Sequence, residues 1–297
     1  MNAVPVDRER RLKEIRRHVS RMPSLPTTVR KVLEICNDPG ISPYELNRVI
    51  SLDPVLTGQI LGLVNSAFYS LRKKATSLTR AIILLGVNTV KNLALSTAVL
   101  QCFGGKRSFK VLSTHDFWIH SLCVGVTAKS LASIKAVPVT EREEYFIAGL
   151  MHDLGKIPLC SQFPDEYLRV LESARSSEDP LYRTENAILA VDHSMVGKMI
   201  AEKWDLGESL AESLFHHHDP DRASPEHQGL IDIVALANTF SNALAIGTSG
   251  DHFLRDPLVD SLVEKVGIPW EDLLELRGNV LEEIEKAKVF LQIAGRA

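Results

Sequence analysis

Helix-start signals recur at short intervals along this chain, and little between them alternates as a strand would. "SPYE" places Ser42 as an N-cap, Pro43 at the first helical position and Glu45 where a capping box closes. Asp53 and Pro54 repeat the device ahead of "VLTGQILGLVNSAF". Ser113 with Asp116, and Thr140 with Glu143, form two more capping boxes. Gly86 follows "RAIILL" as a C-cap. The apolar residues between these signals keep a helical period. The pattern predicts an all-α fold, a multi-helical bundle of about a dozen or more helices.

The 297 residues suffice for a large core and allow one or two domains. Polar or glycine-bearing stretches at 103–113, 173–180, 219–226 and 247–251 read as loops, the first with Gly104 and Gly105. That glycine pair lacks the spacing and the preceding strand of a phosphate-binding loop. The connections are short, which favours one packed unit in two lobes. Residues 1–22 form a basic helix carrying Arg8, Arg10, Arg11, Lys13, Arg16 and Arg17, interleaved with Asp7, Glu9 and Glu14. Such a stripe is a solvated face or a docking helix for an acidic partner.

Hydrophobic residues make up 45% and charged residues 24%, which excludes a disordered chain. A net charge of −3 argues against direct nucleic-acid binding. No apolar run is long enough to cross a bilayer, and the charged start has no apolar signal core, so no membrane contact is expected. Cys36, Cys102, Cys123 and Cys160 form no C-x-x-C pair and read as reduced thiols. A cytoplasmic location is the expectation.

Histidines carry the chemistry. His120 lies in "STHDFWIHSLCVGVTAKSLA", His152 and Asp153 stand together in "GLMHDLGK", and His193 opens "HSMVGKMIAEKW". His217 and His218 close "LAESLFHHHDP", where Pro220 stops the helix. Each alone fits a structural role: a hydrogen-bonded core ring, a helix cap, or a cation at a helix end. Together they offer imidazoles and a carboxylate from several helices, which is what a transition-metal site in a bundle needs. Neighbouring helical residues point about 100° apart, so His152 and Asp153 can serve adjacent ions only at a helix end. Gly149 and Gly155 would allow the close packing and the turn. Lys156 is either a phosphate-binding cation or a solvated side chain. Asp153 and Lys156 are the candidates for catalysis.

This ordered set resembles the HD superfamily of metal-dependent phosphohydrolases, whose pattern is H…HD…D. It is more similar to the HDOD family of bacterial signal-output domains. The similarity runs from about Ser24 to Ala243, through "SLPTTVRKVLEICNDPGISPYELNRVISLDPVLTGQILGLVNSAFYS", "ATSLTRAIILLGVNTVKNLALSTAV", "FWIHSLCVG", "AGLMHDLGKIPL", "DHSMVGKMIAEKW" and "HHHDP". It implies an HD-domain-like bundle over 23–247, with an N-terminal helical half at 23–105 and an HD-like half at 106–247. C-terminal helices at 248–297 would pack on it. It also implies one or two divalent transition ions (iron, manganese, zinc or nickel) and no organic cofactor. The ligands would be His120, His152, Asp153, His193, His217 and His218, with Asp116 and Asn238 as weaker ones.

Two departures bear on activity. Asn238, in "IDIVALANTFSNAL", stands where HD hydrolases place their last aspartate, so one anionic ligand is missing. HD-GYP phosphodiesterases share the histidines but add a Gly-Tyr-Pro signature, and "HDPDRASPEHQG" lacks it. The expectation is a bacterial signalling module with little or no catalysis, working through a signalling protein partner or a small phosphorylated ligand. The alternative is a metal-dependent phosphohydrolase or phosphodiesterase acting on a nucleotide or cyclic nucleotide.

Overall fold

A computed structural model describes residues 7–38, 40–103, 111–251 and 258–294; Gly104 and Gly105 lie outside them. Among the described residues the chain is α-helical, with one 3-10 turn and no strand. The caps explain where helices begin. In α3 (Pro43–Ile50) the Glu45 amide donates to Ser42 Oγ at 3.2 Å, and the Ser42 amide donates to Glu45 Oε2 at 2.9 Å. Asp53 Oδ1 accepts from the Leu56 amide at 2.9 Å to start α4 (Pro54–Val64). Ser113 does the same for α7 (Thr114–Ile134), accepting from the Asp116 amide at 3.2 Å. Helix α5 (Leu78–Leu85) ends at Gly86, whose φ of 88° suits a residue without Cβ, and α6 (Val87–Phe103) leaves at 116° to it.

The expected box at Thr140 does not form. Helix α8 (Arg142–Met151) starts at Arg142 with no side-chain cap. Glu143 is buried and accepts from Tyr69 Oη at 2.6 Å and Lys129 Nζ at 2.7 Å. Lys129 also lies 4.5 Å over the Phe68 ring. Two part-buried donors, one charged, hold a carboxylate more strongly than a surface cap can. This joint fastens the segment after α4 to α7 and α8. Phe290 of α18 (Val289–Ala294) closes it, with ring centroids 5.4 Å from Phe68 and 5.1 Å from Phe146. Glu143→Ala is expected to cost about 2–3 kcal/mol, read as a lower urea midpoint. A loss below about 0.5 kcal/mol would mean that the joint contributes little.

Helix α1 (Arg8–Arg21) buries Ile15 and Val19 against the second half of the chain. Arg11 leaves the solvated stripe: it lies 4.0 Å over the Phe163 ring and donates to Glu166 at 3.2 Å. Lys203 Nζ donates to the carbonyls of Val19 (2.8 Å), Ser20 (3.3 Å) and Met22 at the carbonyl end of α1.

Helix α7 is the central element, packed on α8, on α14 (Gln228–Leu244) and on α17 (Arg277–Ala287). It corrects one expectation, because by length and composition alone it could cross a membrane. Of its most apolar window 78% is buried inside the protein, as a core helix surrounded by others requires. A Cβ on Gly149 would lie 2.8 Å from Gly125 Cα, and one on Gly125 would lie 2.7 Å from the Phe146 carbonyl oxygen. Helices α7 and α8 therefore cross backbone to backbone. His120 lies five residues before this crossing and His152 three after it.

Candidate metal centre

Helix α8 stops at Met151, and His152 and Asp153 occupy the turn into α9 (Lys156–Gln162). The turn lies against the start of α12 (His193–Trp204), where a Cβ on Gly155 would fall 1.9 Å from the His193 carbonyl oxygen. Helix α13 (Glu208–His216) ends one residue before His217 and His218, ahead of the 3-10 turn Pro220–Arg222.

The six expected ligands converge around Asp153 in two groups. On one side His193 Nε2 lies 3.2 Å from Asp153 Oδ1, and His217 Nε2 lies 3.9 Å from the same oxygen. His193 Nε2 is also 3.2 Å from His217 Nε2 and 3.0 Å from His218 Nε2. On the other side Asp153 Oδ2 lies 3.3 Å from His152 Nε2 and 3.8 Å from His120 Nε2. Asn238 is buried beside His120, and its Oδ1 accepts from Asn242 at 3.3 Å. Asp116 joins neither group.

The rings are aimed by their second nitrogens. His152 Nδ1 faces the Gly149 carbonyl at 2.7 Å, and His217 Nδ1 faces the Leu214 carbonyl at 3.1 Å. His193 Nδ1 faces Glu185 Oε2 at 2.6 Å. Glu185, on α11 (Leu181–Leu189), is fully buried and also accepts from Tyr167 Oη at 2.7 Å. Tyr182 stacks on the partly exposed His218, 4.5 Å between centroids. Each Nδ1 held as a donor leaves Nε2 free as a ligand.

Charge states follow from the surroundings. Burial, then His152, pushes His120 down to about 3. Burial, then neighbouring histidines, holds His217 and His218 well below the usual imidazole range. These rings stay neutral. For His193 burial works downward most strongly, but the charge and hydrogen bond of Glu185, together with Asp153, raise the ring overall. Burial alone would raise Asp153, yet His152 and Lys156 hold it well below the ordinary carboxylate value.

This arrangement fits a metal ion. Ligands about 2.1 Å from one ion stand roughly 3.0–3.4 Å apart, and the His193–His218, His193–His217 and His193–Asp153 distances fall in that range. His120 Nε2, His152 Nε2 and Asp153 Oδ1 are buried with no hydrogen-bond partner. Unpartnered buried acceptors are costly unless a cation faces them. Imidazoles with a carboxylate suit iron, manganese, zinc or nickel.

Sequence reading missed Glu185, Tyr167, Ser249 and Asp251. Lys156, expected at a helix start, has its Nζ inside: 2.8 Å from Asp153 Oδ2, 3.0 Å from Ser249 Oγ and 3.7 Å from Asp251 Oδ2. Ser249 and Asp251 belong to a stretch that reads only as a loop. Glu185 has no local signal, since its role comes from packing. Glu185→Gln is expected to weaken transition-metal binding by about 10–100-fold. Calorimetric titration checks this, and an unchanged affinity would show that Glu185 does not orient His193.

The family model of the HDOD domain matches residues 22–220, more than half of the chain. This chain belongs to the HDOD family. Its fold is shared by solved structures. An HDOD domain protein of unknown function from Geobacter sulfurreducens is 23% identical, covers 95% of this chain and 98% of that one, and has a TM-score of 0.72. A candidate signal transduction protein from Marinobacter aquaeolei VT8 is 18% identical over 98% of this chain and 67% of that one, with a TM-score of 0.73. A candidate phosphohydrolase from Shewanella amazonensis SB2B is 21% identical over 95% and 97%, with a TM-score of 0.67. An uncharacterized protein of Treponema pallidum (strain Nichols) is 26% identical over 220 residues. This HDOD chain spans 41% of that curated relative's length.

Proposed function

We propose that this HDOD chain is a bacterial signalling module built around a structural or sensing metal centre, with little or no catalysis. The enclosure of the centre carries this reading. His120, His152, Asp153, His193 and His217 are each at most 1% exposed, which leaves little room for a substrate and an attacking water. Asn238 in place of a carboxylate, and the ammonium of Lys156 on Asp153, both reduce the negative charge available to catalytic ions. A bound divalent ion would supply the positive charge that joins the α8–α9 turn, α12 and the end of α13. The output would pass to a signalling protein partner, with a small phosphorylated ligand as a further candidate input.

The five histidines and Asp153, a set that HD-GYP phosphodiesterases share, favour a second reading, a metal-dependent phosphohydrolase. The Shewanella neighbour's description as a candidate phosphohydrolase agrees with it, and the Marinobacter neighbour's description agrees with the first. A panel of nucleotides, cyclic nucleotides and a generic phosphodiester, with Mn²⁺ added, separates the two. Turnover by the wild type is expected to match His152→Ala. Robust wild-type turnover lost in His152→Ala would make the protein a hydrolase.

A further inference from the structure

We infer that Lys156 stands in for a second metal ion, so that the centre takes a single divalent cation on Asp153 Oδ1, His193, His217 and His218. The inference rests on the metal reading above and settles the number and side of the ions.

The two ligand groups share only Asp153. Its Oδ1 faces His193 and His217, and its Oδ2 is already held by the Lys156 ammonium at 2.8 Å. An ion placed between His120 and His152, whose Nε2 atoms otherwise stay unpartnered, would have to share Oδ2 with that ammonium. Its remaining neighbour there, Asn238, brings no charge. Lys156 is not free to retreat: it is 1% exposed, and its ammonium is also engaged by Ser249 and Asp251.

The buried charges lead to the same number. Three carboxylates belong to the connected cluster. Asp153 and Glu185 are buried, and the Asp251 side chain is 6% exposed. Among the described residues Lys156 contributes the one positive side chain in it. Histidines that hold a cation through Nε2 add no charge of their own, so among the described residues a single divalent cation brings the cluster to zero. A second would leave two uncompensated positive charges in a site without solvent to screen them, which buried sites do not tolerate. The His193 side is also the better built, because Glu185 orients its ring from behind.

The test is cobalt(II) titration of the chelator-treated chain, followed by d–d absorption and by metal analysis after desalting. A His227→Ala background removes the Glu208, Glu226 and His227 group as a competing site. Saturation is expected at one equivalent. His193→Ala should weaken binding at least about 100-fold, while His120→Ala stays within about tenfold. Lys156→Met combined with Asn238→Asp should open a second equivalent. Two equivalents in the wild-type site would overturn the inference and leave the metal reading standing. So would one equivalent that His120→Ala abolishes and His193→Ala spares. A folded Lys156→Met/Asn238→Asp chain that still takes one equivalent would remove Lys156 from its role. If that variant does not fold, the stoichiometry and the single histidine variants still decide. No binding by the wild type would overturn both readings.

Discussion

Gly155→Ala is expected to destabilise the chain by at least about 3 kcal/mol, the upper end for overpacking. The added Cβ would stand 1.9 Å from the His193 carbonyl oxygen and 2.7 Å from the Gly197 amide nitrogen. Both are backbone atoms, so no rotamer change relieves the clash. The α8–α9 turn and the start of α12 would have to separate, taking His193 away from Asp153. Gly58→Ala is the control: it lies inside α4 with nothing within 4 Å of the new Cβ. That change should leave stability unchanged or raise it by up to about 1 kcal/mol. Urea unfolding followed by circular dichroism compares the two. A Gly155→Ala chain within about 1 kcal/mol of wild type would mean that the close approach of these elements is not needed.

The second large effect concerns the ion's contribution to folding. The unfolded chain presents no assembled site, so a cation held by the native centre stabilises it by mass action. At a free metal concentration of 100 times Kd the gain is about 2.7 kcal/mol. His193→Ala should abolish that gain, because His193 Nε2 lies within 3.2 Å of ligand atoms on Asp153, His217 and His218. Thermal unfolding with and without a chelator gives the answer. A chelator-sensitive midpoint in the wild type that persists in His193→Ala would place the ion elsewhere.

Much of the architecture was legible because caps are local. Ser42, Asp53 and Ser113 each meet a backbone amide three residues on, so nothing distant had to be known. Thr140 shows the limit. Glu143 could have closed a box on it, but Tyr69 and Lys129, from the segment after α4 and from α7, claimed the carboxylate. Helix α7 shows it again: its apolar composition is shared by core helices and membrane helices, and only its packed neighbours distinguish the two.

For the centre, sequence alone determined the ligand types: five histidines, one aspartate beside His152, an asparagine at 238, and glycines bracketing the turn. Residue identity sets donor chemistry, and glycine spacing sets where backbones can touch. Tertiary structure decided what those donors face. Glu185 sits behind His193 from eight residues away, and Ser249 and Asp251 reach Lys156 from more than ninety residues away. These contacts have no periodicity or short-range motif to betray them. The direction of Lys156 was decided in the same way. A lysine at a helix start can point to solvent or inward, and the choice depends on whether buried carboxylates wait to receive it. Asp153 and Asp251 do: Asp153 is local, and only the packing of α9 against the segment after α14 brings Asp251 there.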